Sequence, residues 1–147
     1  MKKMTDYDNY EKECTEIRRR NEELLCLFEE DLLAKGRKIK TIRNHLLNAS
    51  LYINEYLLRE ETHPMEEGPD YLNGFFQDFF IRKCMWSSPA TIRSTAASIK
   101  KFYRTMKDHE ILSEEIYADL CEEIKESLED WQADCEAYDS GNWMFWS

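Results

Sequence analysis

The chain has 147 residues, of which 34% are charged and only 4 are Gly and 3 Pro, with a formal net charge of -10. That length suits one domain with its own core, and scarce Gly and Pro beside Leu, Glu, Lys, Ile and Ala at helical spacing predict an all-α, compact bundle of four to five helices. No apolar run approaches the roughly 18 to 20 residues that span a bilayer, and MKKMTDYDNY lacks the apolar stretch of a secretory signal, so a cytoplasmic protein without a membrane partner is expected.

The first helix is predicted from Tyr7 to about Ala34. Its apolar side, Ile17, Leu24, Leu25, Leu27, Phe28, Leu32 and Leu33, strengthens toward the end, where Lys35-Gly36 stops it. A second begins near Ile39 or Lys40, because Ile42, Leu46, Ala49, Ile53 and Leu57 repeat as a buried face, and it runs to about Arg59. EETHPMEEGPD, residues 60–70, is a connector. Tyr71, Leu72, Phe75, Phe76, Phe79, Phe80 and Ile81 then make a strongly apolar third helix.

Ser88-Pro89 opens the fourth helix: the hydroxyl caps an orphan N–H, and proline at the first position gives up a donor that had no partner. This helix reaches about Lys107 and has two faces. Ile92, Ala96, Ile99, Phe102, Tyr103 and Met106 form a core side, while Arg93, Lys100, Arg104 and Lys107 line the opposite side with Ser94 and Ala97 beside them and Lys101 at the margin. Ser113 caps a fifth helix that carries Glu114 and Glu115 at the positive end of its dipole and is expected to end near Tyr138, leaving SGNWMFWS as a short aromatic tail.

The charge is unevenly spread. Residues 1–107 hold 19 Lys plus Arg against 17 Asp plus Glu, a net of +2, whereas residues 108–147 hold 13 acids against Lys125 alone, a net of -12. The body is therefore mildly basic. Besides the stripe on the fourth helix, Lys35, Arg37, Lys38, Lys40 and Arg43 gather at the entry to the second, with no acid between Asp31 and Glu55. A helix amino terminus with added cations suits phosphate, and phosphates spaced along a duplex call for several cations on a rigid scaffold. Charge runs of this kind are also simply solvated faces; the sequence does not place the two clusters on one side.

KGRKIKTIRNHLLNASLYINEYL, then a Phe-rich helix, then SPATIRSTAASIKKFYRTM, resembles the N-terminal SAM-like, or core-binding, domain of tyrosine recombinases and phage integrases. Lys40-Thr41-Ile42-Arg43-Asn44 and Ser88-Pro89-Ala90-Thr91-Ile92-Arg93 match two helix openings, and Ile53-Asn54-Glu55-Tyr56-Leu57 and Ile99-Lys100-Lys101-Phe102-Tyr103 match the later parts, over about Leu24 to Leu112. The resemblance implies a four-helix domain that grips one side of duplex DNA. It assigns DNA contacts to Lys38, Lys40, Thr41, Arg43 and Asn44, and to Thr91, Arg93, Ser94, Lys100 and Arg104; the basic stripe adds Lys101 and Lys107. The family's catalytic domain does not follow before Ser147, so strand cleavage is not expected, and an acidic helix stands where a linker would.

The domain is thus expected at residues 1–112, with 113–147 packed on it. On the acidic helix Ile116, Leu120, Ile124 and Leu128, continued by Trp131 and Cys135, form one apolar line. The helix is a solvated packing element, a shield over the basic stripe, a mimic of DNA, or a dimer contact. Trp143, Phe145 and Trp146 suit an anchor in this core or in another subunit, the third reading being a disordered tail. The five cysteines form no C-x-x-C pair and read as buried reduced thiols. His45, His63 and His109 lie apart in sequence, no Gly-rich phosphate loop occurs, and neither catalysis, metal, cofactor nor small-molecule substrate is expected. The expectation is a duplex-DNA-binding module that works with copies of itself or a recombinase partner; the alternative is a helical interaction or dimerisation module that uses the acidic helix and aromatic tail.

Overall fold

The computed structural model describes residues 5–146, with side chains through residue 140. Helix α1, Asp6–Ala34, opens on a capping box in which Thr5 accepts from the Asp8 amide and Asp8 accepts from Thr5. It closes in paired bonds, Gly36 N–H to the Leu33 carbonyl and Arg37 N–H to the Leu32 carbonyl. Gly36 takes a φ of 72°, which glycine adopts without a Cβ penalty.

Helix α2, Ile39–Ser50, continues as a π-helical stretch, Leu51–Tyr56, rather than as regular helix to Arg59. The widened turn frees carbonyls, and α1 supplies donors for them. Asn21 donates to the Ile53 carbonyl at 3.3 Å and to Asn54 Oδ1 at 2.8 Å, Arg18 to the Asn54 carbonyl at 3.2 Å, and Tyr10 to the Leu58 carbonyl. These bonds offset the loss of regular i to i-4 pairing. Ile42, Ala49, Ile53 and Leu57 of the expected face are buried, and Leu46 is half-buried.

The connector holds a 3-10 helix, Met65–Tyr71, pinned from two sides: Tyr52 donates to the Gly68 carbonyl and Tyr103 to the Met65 carbonyl, both at 2.5 Å. Helix α3 is composite, α-helical at Leu72–Gly74, π-helical at Phe75–Phe79 and α-helical again at Phe80–Lys83. Its Phe75, Phe76 and Phe80 are wholly buried. Helix α4, Pro89–Asp108, starts in a Ser88–Thr91 capping box with proline at its first position and packs against α1, α2 and the last helix.

That last helix, α5, spans Glu114–Trp146, with Ser113 Oγ accepting from the Ile116 amide at 3.1 Å. The backbone is thus helical through Trp146, within the expected tail. Gly141 is its lone breaker there, and one interior glycine costs only about 1 kcal/mol. Leu120, Ile124, Trp131 and Cys135 are buried in the common core, Trp131 stacking on Phe76 at 4.5 Å and donating to Asn73 Oδ1 at 2.8 Å. The acidic helix is therefore part of the bundle. The described residues form an all-helical fold without strands, and no helix among them is long and apolar enough to cross a membrane. All five cysteines are free thiols; Cys14, Cys84 and Cys135 are buried, but Cys26 is exposed, and Cys121 is half-buried where it packs against the edge of the core.

Candidate nucleic-acid interface

The turn after α1 and the second half of α4 bring cations from distant parts of the chain together. Lys35, Arg37, Lys101 and Arg104 line one small cleft of about 70 Å³, with Phe28, Leu32 and Thr105 completing its wall. The tight closure of α1 sends Arg37 toward α4, while Lys101 and Arg104 lie three residues apart on one helical side. Lys38, Lys40 and Arg43 are exposed on the neighbouring first turns of α2. Lys38 is the N-cap residue, and no side chain caps this helix, in contrast to α1 and α4.

On α4, Arg93, Ser94, Ala97, Lys100, Lys101 and Arg104 form an exposed ridge. One flank of the ridge meets the acidic helix. Lys100 borders Cys121, Glu122, Lys125 and Glu126 of α5. Lys107 is turned farther in, its Nζ 3.2 Å from Asp108 and 5.0 Å from the centre of the Tyr117 ring. Burial pushes the Tyr117 phenol up to about 12, while nearby Arg104 opposes the rise.

On the other flank a groove of about 620 Å³ separates α2 from α4. From α2 come Thr41, Asn44, His45, Leu47, Asn48 and, one turn on, Leu51; from α4 come Thr91, Ser94, Thr95 and Ser98; Trp86 stands at the edge. Inside it, His45 Nδ1 lies 2.7 Å from Ser98 Oγ, Asn48 donates to the same oxygen at 3.0 Å, and Ser98 donates to the Ser94 carbonyl at 3.1 Å. Burial and, behind it, the charges of Lys101 and Arg37 hold the His45 imidazolium pKa below its ordinary value. Phe28, in the wall of the cleft, faces the same His45 ring at 6.3 Å, so one aromatic contact lies between cleft and groove.

Of the residues singled out in the sequence, Thr41, Asn44, Thr91 and Ser94 meet in the groove, and Lys101 and Arg104 meet in the cleft. Thr91 is engaged locally: its hydroxyl accepts from the Ser88 amide at 2.8 Å and reaches the Trp86 carbonyl at 3.0 Å. Lys100 and Lys107 lie toward α5. Among the described residues, no carboxylate stands within 4.0 Å of the basic groups of Lys35, Arg37, Lys38, Lys40, Arg43, Arg93, Lys100, Lys101 or Arg104. The side chains of Trp143, Phe145 and Trp146 lie outside the described ones.

His45, Asn48, Ser98 and Trp86 are not singled out by sequence reasoning. Two signals in the sequence point to them. Thr41, Asn44, His45 and Asn48 share the i, i+3, i+4, i+7 spacing of Thr91, Ser94, Thr95 and Ser98, so two helices each present a polar line to the other. Met85-Trp86 also sits in a short loop, where large apolar side chains have little core to enter; Met85 is 100% exposed and Trp86 59%. No family model, curated protein or solved structure matches the chain.

Proposed function

We propose that the protein binds duplex DNA through the face formed by the α1–α2 turn, the first turns of α2 and the outer ridge of α4, as a SAM-like module of the integrase core-binding kind. One observation carries the reading: cations far apart in the chain, Lys35 and Arg37 with Lys101 and Arg104, share a cleft with no carboxylate within ion-pair distance among the described residues. Like charges brought together repel, so such a cluster is stabilised by a polyanion that spans it. The uncapped first turn of α2 adds N–H groups to the same side. Small side chains at Ser94 and Ala97 let a phosphate backbone approach α4 closely. The activity proposed is binding, without a bond-breaking step.

Fluorescence anisotropy with a labelled duplex across a salt series tests this. If the four cleft cations each neutralise one phosphate, the log–log slope is about -3.6, a loss of about a hundredfold between about 50 and 200 mM salt. No binding, or binding indifferent to salt, removes the reading.

A further inference from the structure

The groove between α2 and α4 is unusual for a surface meant only to meet phosphates. Its α4 wall is made of small hydroxyl side chains, Thr91, Ser94, Thr95 and Ser98, while Trp86 and Leu47, 59% and 69% exposed, bring apolar surface to the same space. Between them lie the Asn44 amide and the His45–Ser98–Asn48 network. An aliphatic occupant would leave these polar groups unanswered, and a fully hydrated one would leave Trp86 and Leu47 in water. A flat heteroaromatic ring, with π faces for stacking and donors and acceptors on its edge, answers both. The charge nearby selects the kind of ring, because Phe28, which faces His45 at 6.3 Å, also walls the cleft that holds Arg37 and Lys101, and these cations suit an occupant tied to phosphate.

We infer that this groove is a pocket for a single unstacked nucleobase, held against Trp86 while the flanking phosphates lie on the cationic cleft. The inference rests on the DNA reading above and extends it: the protein would favour DNA with an unpaired nucleotide over a fully paired duplex. Taking a base out of a duplex costs stacking and pairing, and that cost is absent where the nucleotide already lacks a partner. Stacking on one aromatic side chain then supplies the preference. The small α4 residues set the width of the slot, and the Ser98-centred bonds hold its two walls at a fixed distance.

The test compares four labelled substrates of equal length: a paired duplex, a duplex with one unpaired nucleotide, the same bulge with an abasic residue, and a single strand. The expected result is binding of the base bulge about tenfold tighter than of the paired duplex, with the abasic bulge behaving as paired. Trp86→Ala should erase that difference, and Trp86→Phe should keep most of it. Equal binding of base and abasic bulges, or a preference that survives Trp86→Ala, overturns the base pocket alone. Self-association without DNA that Trp86→Ala abolishes overturns it in favour of a second copy of the chain. Failure to bind any of the four overturns the DNA reading itself.

Discussion

His45 on α2 and Ser98 on α4 meet at 2.7 Å, and this bond ties together the two helices that flank the groove. Ser98 Oγ also accepts from Asn48 and donates to the Ser94 carbonyl, so all its bonds are satisfied when the imidazole proton sits on Nδ1. A second proton, on Nε2, would create a cation beside Lys101 and Arg37 in a partly buried site that also faces the Phe28 ring at 6.3 Å. The folded state therefore favours the neutral ring. The stability this gives is present above the ordinary histidine pKa of about 6.5 and lost as pH falls through the lowered folded value. Urea midpoints should drop between about pH 7 and pH 5, and His45→Gln should flatten that drop.

Bound phosphate reverses the sign of the neighbourhood. By offsetting Arg37 and Lys101 it raises the His45 pKa, so binding takes up a proton and affinity rises as pH is lowered from about 7.5 to about 6. His45→Gln should lose the rise while retaining salt-dependent binding. A pH-independent affinity in the unaltered protein would show that no anion reaches His45.

Charge reversal should separate the cleft from the rest of the α4 stripe. Arg37→Glu or Lys101→Glu places a carboxylate among the converging cations, and each should weaken duplex binding at least tenfold and lower the salt slope by about one. Lys107→Glu should matter much less, since that ammonium is already shared between Asp108 and the Tyr117 ring. Equal losses for all three would mean that net charge, not the cleft, drives binding.

The contrast between Lys101 and Lys107 shows where reading the sequence stops. Local signals placed the helices well: Ser88-Pro89 caps α4, Ser113 caps α5, and Gly36 ends α1. The period of Ile42, Ala49, Ile53 and Leu57 also marked the core side of α2. The π-helical stretches were not legible, because Leu51–Tyr56 depends on donors from Asn21 and Arg18, more than thirty residues upstream. For the same reason the meeting of Arg37 with Lys101 was invisible, being set by how α1, α2 and α4 cross. Helical spacing grouped Lys107 with Arg93, Lys100 and Arg104, but one turn of helix carries it against α5. The groove was missed because threonine, serine and asparagine look like ordinary surface until a second helix faces them.

Gly68 and Tyr103 fix the connector, and the closeness of their contact gives a sharp stability test. A Cβ on Gly68 would stand 1.9 Å from Tyr103 Oη and 3.1 Å from Tyr52 Cε2, and both tyrosines are wholly buried and hydrogen-bonded to this 3-10 helix. Gly68→Ala should therefore cost about 1–3 kcal/mol from overpacking, plus about 1 kcal/mol if the Tyr103–Met65 bond is displaced. Tyr103→Phe alone should cost about 1 kcal/mol by freeing the Met65 carbonyl. Combined with Gly68→Ala it should be less harmful than the sum, because removing the hydroxyl removes the closest clash. Strict additivity in denaturant melts would place the strain elsewhere.

The acidic helix sets how far the basic face extends, and its influence has to be measured by neutralisation. Truncation before α5 would remove Leu120, Ile124, Trp131 and Cys135 from the core, and Trp131→Ala alone should cost about 3–5 kcal/mol. Glu122→Gln with Glu126→Gln leaves that packing intact and takes two negative charges from the border with Lys100. At low salt a phosphate on Lys100 feels those carboxylates through water, a repulsion that weakens with distance and ionic strength. Duplex affinity should rise a few-fold at about 50 mM salt, and the gain should shrink at about 200 mM. Lys100→Gln in the same background should cancel it. A gain that survives loss of Lys100 would mean that the carboxylates act on the whole face at long range.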